Sequence, residues 1–115
     1  MAKKNAANSF KDYCRLALET RKHYTKLEQK NCGRNWTKEE IAQGFVVDVG
    51  DLMKEVMKQA GLRGEKNRAT LSHELCDCLW SIFVLADKYK IDLAEEFPKN
   101  MEILQAKVKD KLKQK

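Results

Sequence analysis

Two pairs of acidic residues, Asp48/Asp51 and Glu74/Asp77, stand at i, i+3 spacing in segments whose other residues are mostly apolar. In an α-helix this spacing puts both carboxylates of a pair on one side, one turn apart. Like charges held so close repel, and a divalent cation is the simplest group that reverses the sign of the interaction. Carboxylate oxygens suit hard cations, magnesium or manganese, better than imidazole or thiolate would. Magnesium also keeps waters and takes phosphate oxygens of a substrate while bound to few carboxylates. The chemistry these residues point to is metal-assisted hydrolysis of a polyphosphate.

The two pairs stand in different surroundings. From Leu75 to Ala86 the chain reads LCDCLWSIFVLA, where Asp77 and Ser81 are the strongly polar positions. A helix apolar on every face is a buried helix, and a buried ionised carboxylate must be paired, neutralised or bound to a metal. Glu74 lies one turn before Asp77, and Ser81 continues the strip one turn after it. A salt bridge from Lys54, Arg63 or Arg68 is the alternative to a metal here. In the other segment Phe45, Val49, Leu52 and Val56 define the centre of an apolar stripe. At 100° per residue Asp48 falls about 60° and Asp51 about 120° from that centre, with Glu55 between them. By itself this pair fits a solvated helix face. Matched in spacing with Glu74/Asp77, it forms half of a shared site at the boundary between core and solvent.

The elements that position these acids are predicted to be four helices. The chain has 115 residues, 43% hydrophobic and 35% charged, with one proline and five glycines, a composition that fits one all-α domain. Ser9 through Asp12 reads as an N-terminal cap for a first helix over about 9–29, ended by the turn-forming stretch Asn31 to Trp36. Thr37 and Glu40 form a capping box for a second helix, for which Gly61 supplies the stop. A basic connector from Leu62 to Arg68 leads to a third helix capped at Thr70 or a nearby residue and running to about Lys90. Asp92 caps a fourth that carries Leu93, Phe97, Met101, Leu104 and Val108. Pro98 lies too deep for the first turn, so it either kinks this helix or delays its start. The domain's core spans about 9–108, followed by a basic tail over 109–115.

The formal charge of +6 is concentrated near the ends and favours polyanions of any kind. A helical nucleic-acid-binding module is therefore a competing reading, but it leaves the acids unexplained. Cys14, Cys32, Cys76 and Cys78 lack the spacing of a zinc site, and Cys76 and Cys78 read as small buried hydrophobes with reduced thiols. With no apolar leader and no run of about 18 uncharged residues, the expected setting is the cytoplasm, away from a membrane.

The segments GFVVDVGDLMKEVM and HELCDCLWSIFVLADKY together resemble the MazG-like, all-α nucleoside triphosphate pyrophosphohydrolases, over about residues 36–104. The signature of that family is ExxE followed, after a variable spacer, by ExxD. Asp48-Val-Gly-Asp51 stands in place of the first half and Glu74-Leu-Cys-Asp77 matches the second. Where the family has two glutamates this chain has aspartates, each one methylene shorter. The resemblance implies a four-helix MazG-like bundle completed by dimerisation, with homodimers or homotetramers usual. It also implies magnesium held by Asp48, Asp51, Glu74 and Asp77, and cleavage of a nucleoside triphosphate, standard or not, to the monophosphate and pyrophosphate, often to clean the nucleotide pool. Glu74 or Asp48 is the candidate for taking the proton of the attacking water. Lys54 and Asn100 are candidates for phosphate or sugar contacts, and Trp36 and His23 for the base. A catalytically silent nucleotide sensor is the alternative within the same resemblance.

Overall fold

The computed structural model describes residues 9–114, which form four α-helices and, among the described residues, no strand. The first, α1, spans Phe10–Cys32, α2 Lys38–Gln59, α3 Arg68–Lys88 and α4 Leu93–Lys113. The all-helical class read from composition and periodicity is the class observed.

Local chemistry accounts for most of the boundaries. Ser9 Oγ accepts the Asp12 amide at 3.1 Å at the start of α1. This helix runs three residues past its expected end, to Gly33, which adopts φ 74° and donates its amide to the Gln29 carbonyl at 2.9 Å. Asn31 and Cys32 are thus helical, because Gly33 is the first residue that enters the left-handed region without steric cost. The Thr37 and Glu40 capping box forms as expected: Thr37 Oγ1 accepts the Glu40 amide at 3.1 Å and Glu40 accepts the Thr37 amide at 2.9 Å. Arg34 grips the same carboxylate with two hydrogen bonds of 2.8 Å. That guanidinium, and then the Thr37 amide, pull the Glu40 carboxyl down to about 2. The cap of α3 is Asn67, whose Oδ1 accepts the amides of Ala69 and Thr70 at 2.8 and 3.3 Å. The expected alternative, Thr70, instead turns its hydroxyl toward Glu55 Oε1 at 2.7 Å. α4 begins directly after Asp92, and Pro98 sits inside it, so the helix start is not delayed. The carbonyl of Ala94, one turn earlier, loses its intrahelical partner.

Packing is unequal. α2 lies along α3, α1 crosses α3 over a shorter stretch, and α4 makes little contact with either. The buried apolar residues are Ala17, Ile41, Cys78, Phe83 and Val84. Phe10 and Phe83 pair at 5.1 Å between ring centres, and Tyr24 and Trp80 at 5.3 Å, so aromatic contacts dock α1 on α3. The Trp80 indole N–H also donates to the Ala17 carbonyl at 2.9 Å. Between α2 and α3 the buried Glu55 carboxylate takes the Thr70 hydroxyl and, at 3.2 Å, the Lys58 ammonium. The Thr70 hydrogen bond is the main reason its carboxyl lies below the usual range. Glu55 therefore ties the end of α2 to the start of α3.

Two expectations of burial are not met. No residue of α4 is buried, and Phe97, Leu104 and Val108 of its stripe are exposed, so the described residues do not close the bundle. α3 is covered on two sides only: Leu75, Leu79, Ile82 and Cys76 are exposed while Cys78 is buried. Apolarity all round a helix requires covering on every side, and α1 and α2 supply it on one flank and one face. By length and a mean hydropathy of 1.2, α3 is also apolar enough to cross a membrane, a property that core helices of soluble proteins share.

Candidate metal and nucleotide site

Asp48 and Asp51 of α2 and Glu74 and Asp77 of α3 lie along the seam between the two helices, near enough for the charges of the other three to act on Glu74. Ser81 Oγ of α3 donates to Asp48 Oδ2 of α2 at 3.0 Å, which fixes the register of the two helices at this point. Two turns of α3 before Ser81, Glu74 is half-buried, and burial followed by the charges of Asp51 and Asp77 pushes its carboxyl above the usual range. Burial raises the Cys78 thiol as well, reinforced by all four carboxylates. Asp77 accepts from His73 Nε2 at 3.2 Å when that imidazole is protonated or carries its proton on this nitrogen.

The acids occupy a different part of α2 from that expected. The packed side of the helix centres on Ile41, Asp48 and Glu55, two turns apart, while Val49 and Val56 are exposed. Asp48 and Asp51 therefore lie within the face that meets α3, not at its edge. The stripe through Phe45, Val49, Leu52 and Val56 merges two apolar faces with different neighbours, so its apparent centre falls between them. Glu55 is spent on Thr70 and Lys58 and adds nothing to an open acidic strip.

Among the described residues no lysine or arginine forms an ion pair with Asp48, Asp51, Glu74 or Asp77. The salt bridges considered from Lys54, Arg63 and Arg68 do not form there. Nor, among the described residues, are three or more His, Cys, Asp or Glu side chains gathered into a ready ligand cluster. The donor set, four carboxylates from two facing helices, fits a hard divalent cation in chemistry. Asp48 and Asp77 are at present turned to Ser81 and His73.

Beside the acids a cavity of about 630 Å³ opens between α1, α2 and α3. Tyr24, Leu27, Trp36, Val47 and Trp80 give it apolar walls, and Asp48, His73, Asp77 and Ser81 form its polar edge. Both tryptophans of the chain thus line one cavity. Trp36 is placed there by three contacts: its amide donates to Glu28 Oε1 at 3.3 Å, the Arg21 guanidinium lies 5.8 Å from its ring centre, and its indole closes on Gly44. Arg21 and Glu28 form a largely buried ion pair at the cavity wall.

The remaining candidates lie elsewhere. Lys54 is exposed on α2, away from the cavity walls. Asn100 is on α4, where its side chain donates to the Glu96 carbonyl of its own helix at 2.9 Å, so the chain does not bring it to the acids. His23 is exposed, and its neighbour Tyr24 lines the cavity in its place. Arg21, Glu28 and His73 were not singled out from the sequence, although His73 to Asp77 is an i, i+4 pair and Arg21 to Glu28 spans two turns of α1. Compared with known protein families, curated proteins and solved structures, the chain matches none of them.

Proposed function

We propose that the protein is a magnesium-dependent nucleoside triphosphate pyrophosphohydrolase acting in the cytoplasm. The observation that carries the reading is the meeting of Asp48, Asp51, Glu74 and Asp77 at one helix seam, without a lysine or arginine partner among the described residues, beside a cavity walled by Trp36, Tyr24 and Trp80. The four carboxylates would hold the ion, Asp48 and Asp77 exchanging Ser81 and His73 for it. Bound there, magnesium supplies charge neutralisation for the triphosphate and a lowered pKa for water.

The protein's own groups do the rest. Trp36, Tyr24 and Trp80 offer flat apolar surface for a base, with Arg21 and Glu28 at its edge. Glu74 or Asp48 accepts the proton as water adds across the anhydride between the α- and β-phosphates. The bond to the bridging oxygen breaks, and the nucleoside monophosphate and pyrophosphate are the products.

A panel of canonical and modified nucleotides assayed for pyrophosphate release with magnesium tests this reading, alongside Asp77→Asn. The wild type is expected to hydrolyse at least one member and the variant to lose nearly all activity. Equal rates remove Asp77 from the mechanism. Magnesium-dependent nucleotide binding without turnover makes the protein a nucleotide sensor. Steeply salt-dependent affinity for DNA without pyrophosphate release makes it a nucleic-acid-binding module.

A further inference from the structure

Besides the acids, the cavity between α1, α2 and α3 holds a second polar group, and it comes from α1. Arg21, Tyr24, Glu28 and Asn31 stand at i, i+3, i+7 and i+10, one face of that helix, and all four line the cavity. Arg21 and Glu28 pair there with 12% and 11% of their side chains exposed. Taking both charges out of water costs about as much as their attraction returns, so an apolar pair would serve stability equally well. Stability alone therefore gives no reason for a carboxylate and a guanidinium beside Trp36.

The hydrogen-bonding capacity of the pair is unevenly used. Glu28 Oε1 accepts twice, from Arg21 Nη2 and, at 3.3 Å, from the Trp36 amide. Glu28 Oε2 accepts nothing among the described residues. It is not sealed in either, because the buried side-chain atom left without a partner among them is Gln59 Nε2. Arg21 likewise keeps Nε and Nη1 without an acceptor among the described residues. Trp36 is 42% exposed, so its ring offers open surface beside this free acceptor and these free donors. An amine next to an unprotonated ring nitrogen, the edge of cytosine and of adenine, matches them: the amine donates to Oε2 and the ring nitrogen accepts from Arg21. Uracil and hypoxanthine reverse both groups, so that a carbonyl oxygen faces the carboxylate and an N–H faces the guanidinium.

We propose that Glu28, together with Arg21, determines the specificity of the cavity and selects nucleotides whose base carries an amine beside an unprotonated ring nitrogen. The inference rests on the cavity being the base site of the nucleotide reading above, and not on the hydrolysis.

CTP against UTP, and ATP against ITP, differ at that edge alone. With magnesium the wild type is expected to favour the amino member of each pair about ten- to a hundredfold in kcat/KM, the range for one hydrogen bond to a charged group, with the difference in KM. The carboxamide of Glu28→Gln offers an acceptor and a donor, so this variant is expected to take both members of a pair and bring the ratio close to one. The ratio is read within one preparation, so partial unfolding does not alter it, and the wild-type ratio carries the test if the variant does not fold. A second readout needs neither metal nor turnover. The indole N–H resonances of Trp36 and Trp80, titrated with cytidine, uridine, adenosine and inosine, are expected to show tighter binding of cytidine and adenosine. Nucleoside selection without pyrophosphate release removes the hydrolase and keeps the inference. Pyrophosphate release at equal kcat/KM within both pairs keeps the hydrolase and overturns the inference. It is overturned as well if Glu28→Gln changes both members of each pair alike, which leaves Glu28 only a support for Trp36, or if none of the four nucleosides shifts either indole.

Discussion

Replacing Phe83 with alanine is expected to lower stability more than any other single truncation in the described chain. Phe83 is the largest of the buried core side chains, 3% exposed, and it joins α1 to α3 through Phe10 at 5.1 Å and an interplanar angle of 51°. Truncating a buried phenylalanine costs about 3–5 kcal/mol, within which a tilted ring pair accounts for about 0.5–1.5 kcal/mol. With a urea slope of about 2 kcal/mol/M, the unfolding midpoint falls by about 2 M. Phe10, 40% exposed, loses the same ring pair but far less burial, so Phe10→Ala is expected to cost about half as much. Both variants and the wild type are compared at one protomer concentration, because association shifts the midpoint. α1 carries Arg21, Tyr24 and Glu28, so loosening its contact also opens the cavity, which tryptophan fluorescence from Trp36 and Trp80 reports. A midpoint shift below about 0.5 M for Phe83→Ala, or equal shifts for the two variants, refutes the placement of Phe83 as the pin between the helices.

Further outcomes follow from the site and its caps. If Trp36 stacks a nucleobase, Trp36→Ala raises KM about 5- to 150-fold, the equivalent of about 1–3 kcal/mol of stacking, and Trp36→Phe recovers most of it. A fall in kcat at constant KM shows instead that Trp36 acts through the fold. Glu40 has its carboxyl held at about 2 against an ordinary 4.5. The unfolded chain thus binds the extra proton in this range, and the stability that Glu40 contributes is complete above about 4.5 and is lost as the pH falls towards 2. Glu40→Gln is expected to flatten the stability profile across that window, and parallel profiles for variant and wild type contradict the assignment. The rate loss expected for Asp77→Asn tests the acids directly.

Much was legible in the sequence because local physics decides it. The helical class and the caps at Ser9, Thr37 and Asp92 depend on neighbours within a turn, so residue types and spacing suffice. The i, i+3 placement of Asp48/Asp51 and Glu74/Asp77 is likewise a property of a single helix. Where local signals competed, the outcome shifted: Asn67 took the cap from Thr70 once the Thr70 hydroxyl had Glu55 to meet, a partner 15 residues away.

What only the tertiary structure decided is which face of each helix meets which neighbour. α2 has apolar residues on two sides, and periodicity merges them, so Asp48 and Asp51 fall at the edge of a stripe in sequence and inside the α2–α3 seam in space. Arg21 and Glu28 meet Trp36, and Tyr24 meets Trp80, because α1 folds back across α3 and brings the turn after it to the same cavity. Asn100 is kept from the acids because α4 does not pack beside them. Periodicity shows that a side is apolar but not what covers it: α3 is apolar all round, yet among the described residues α1 and α2 cover only part of it.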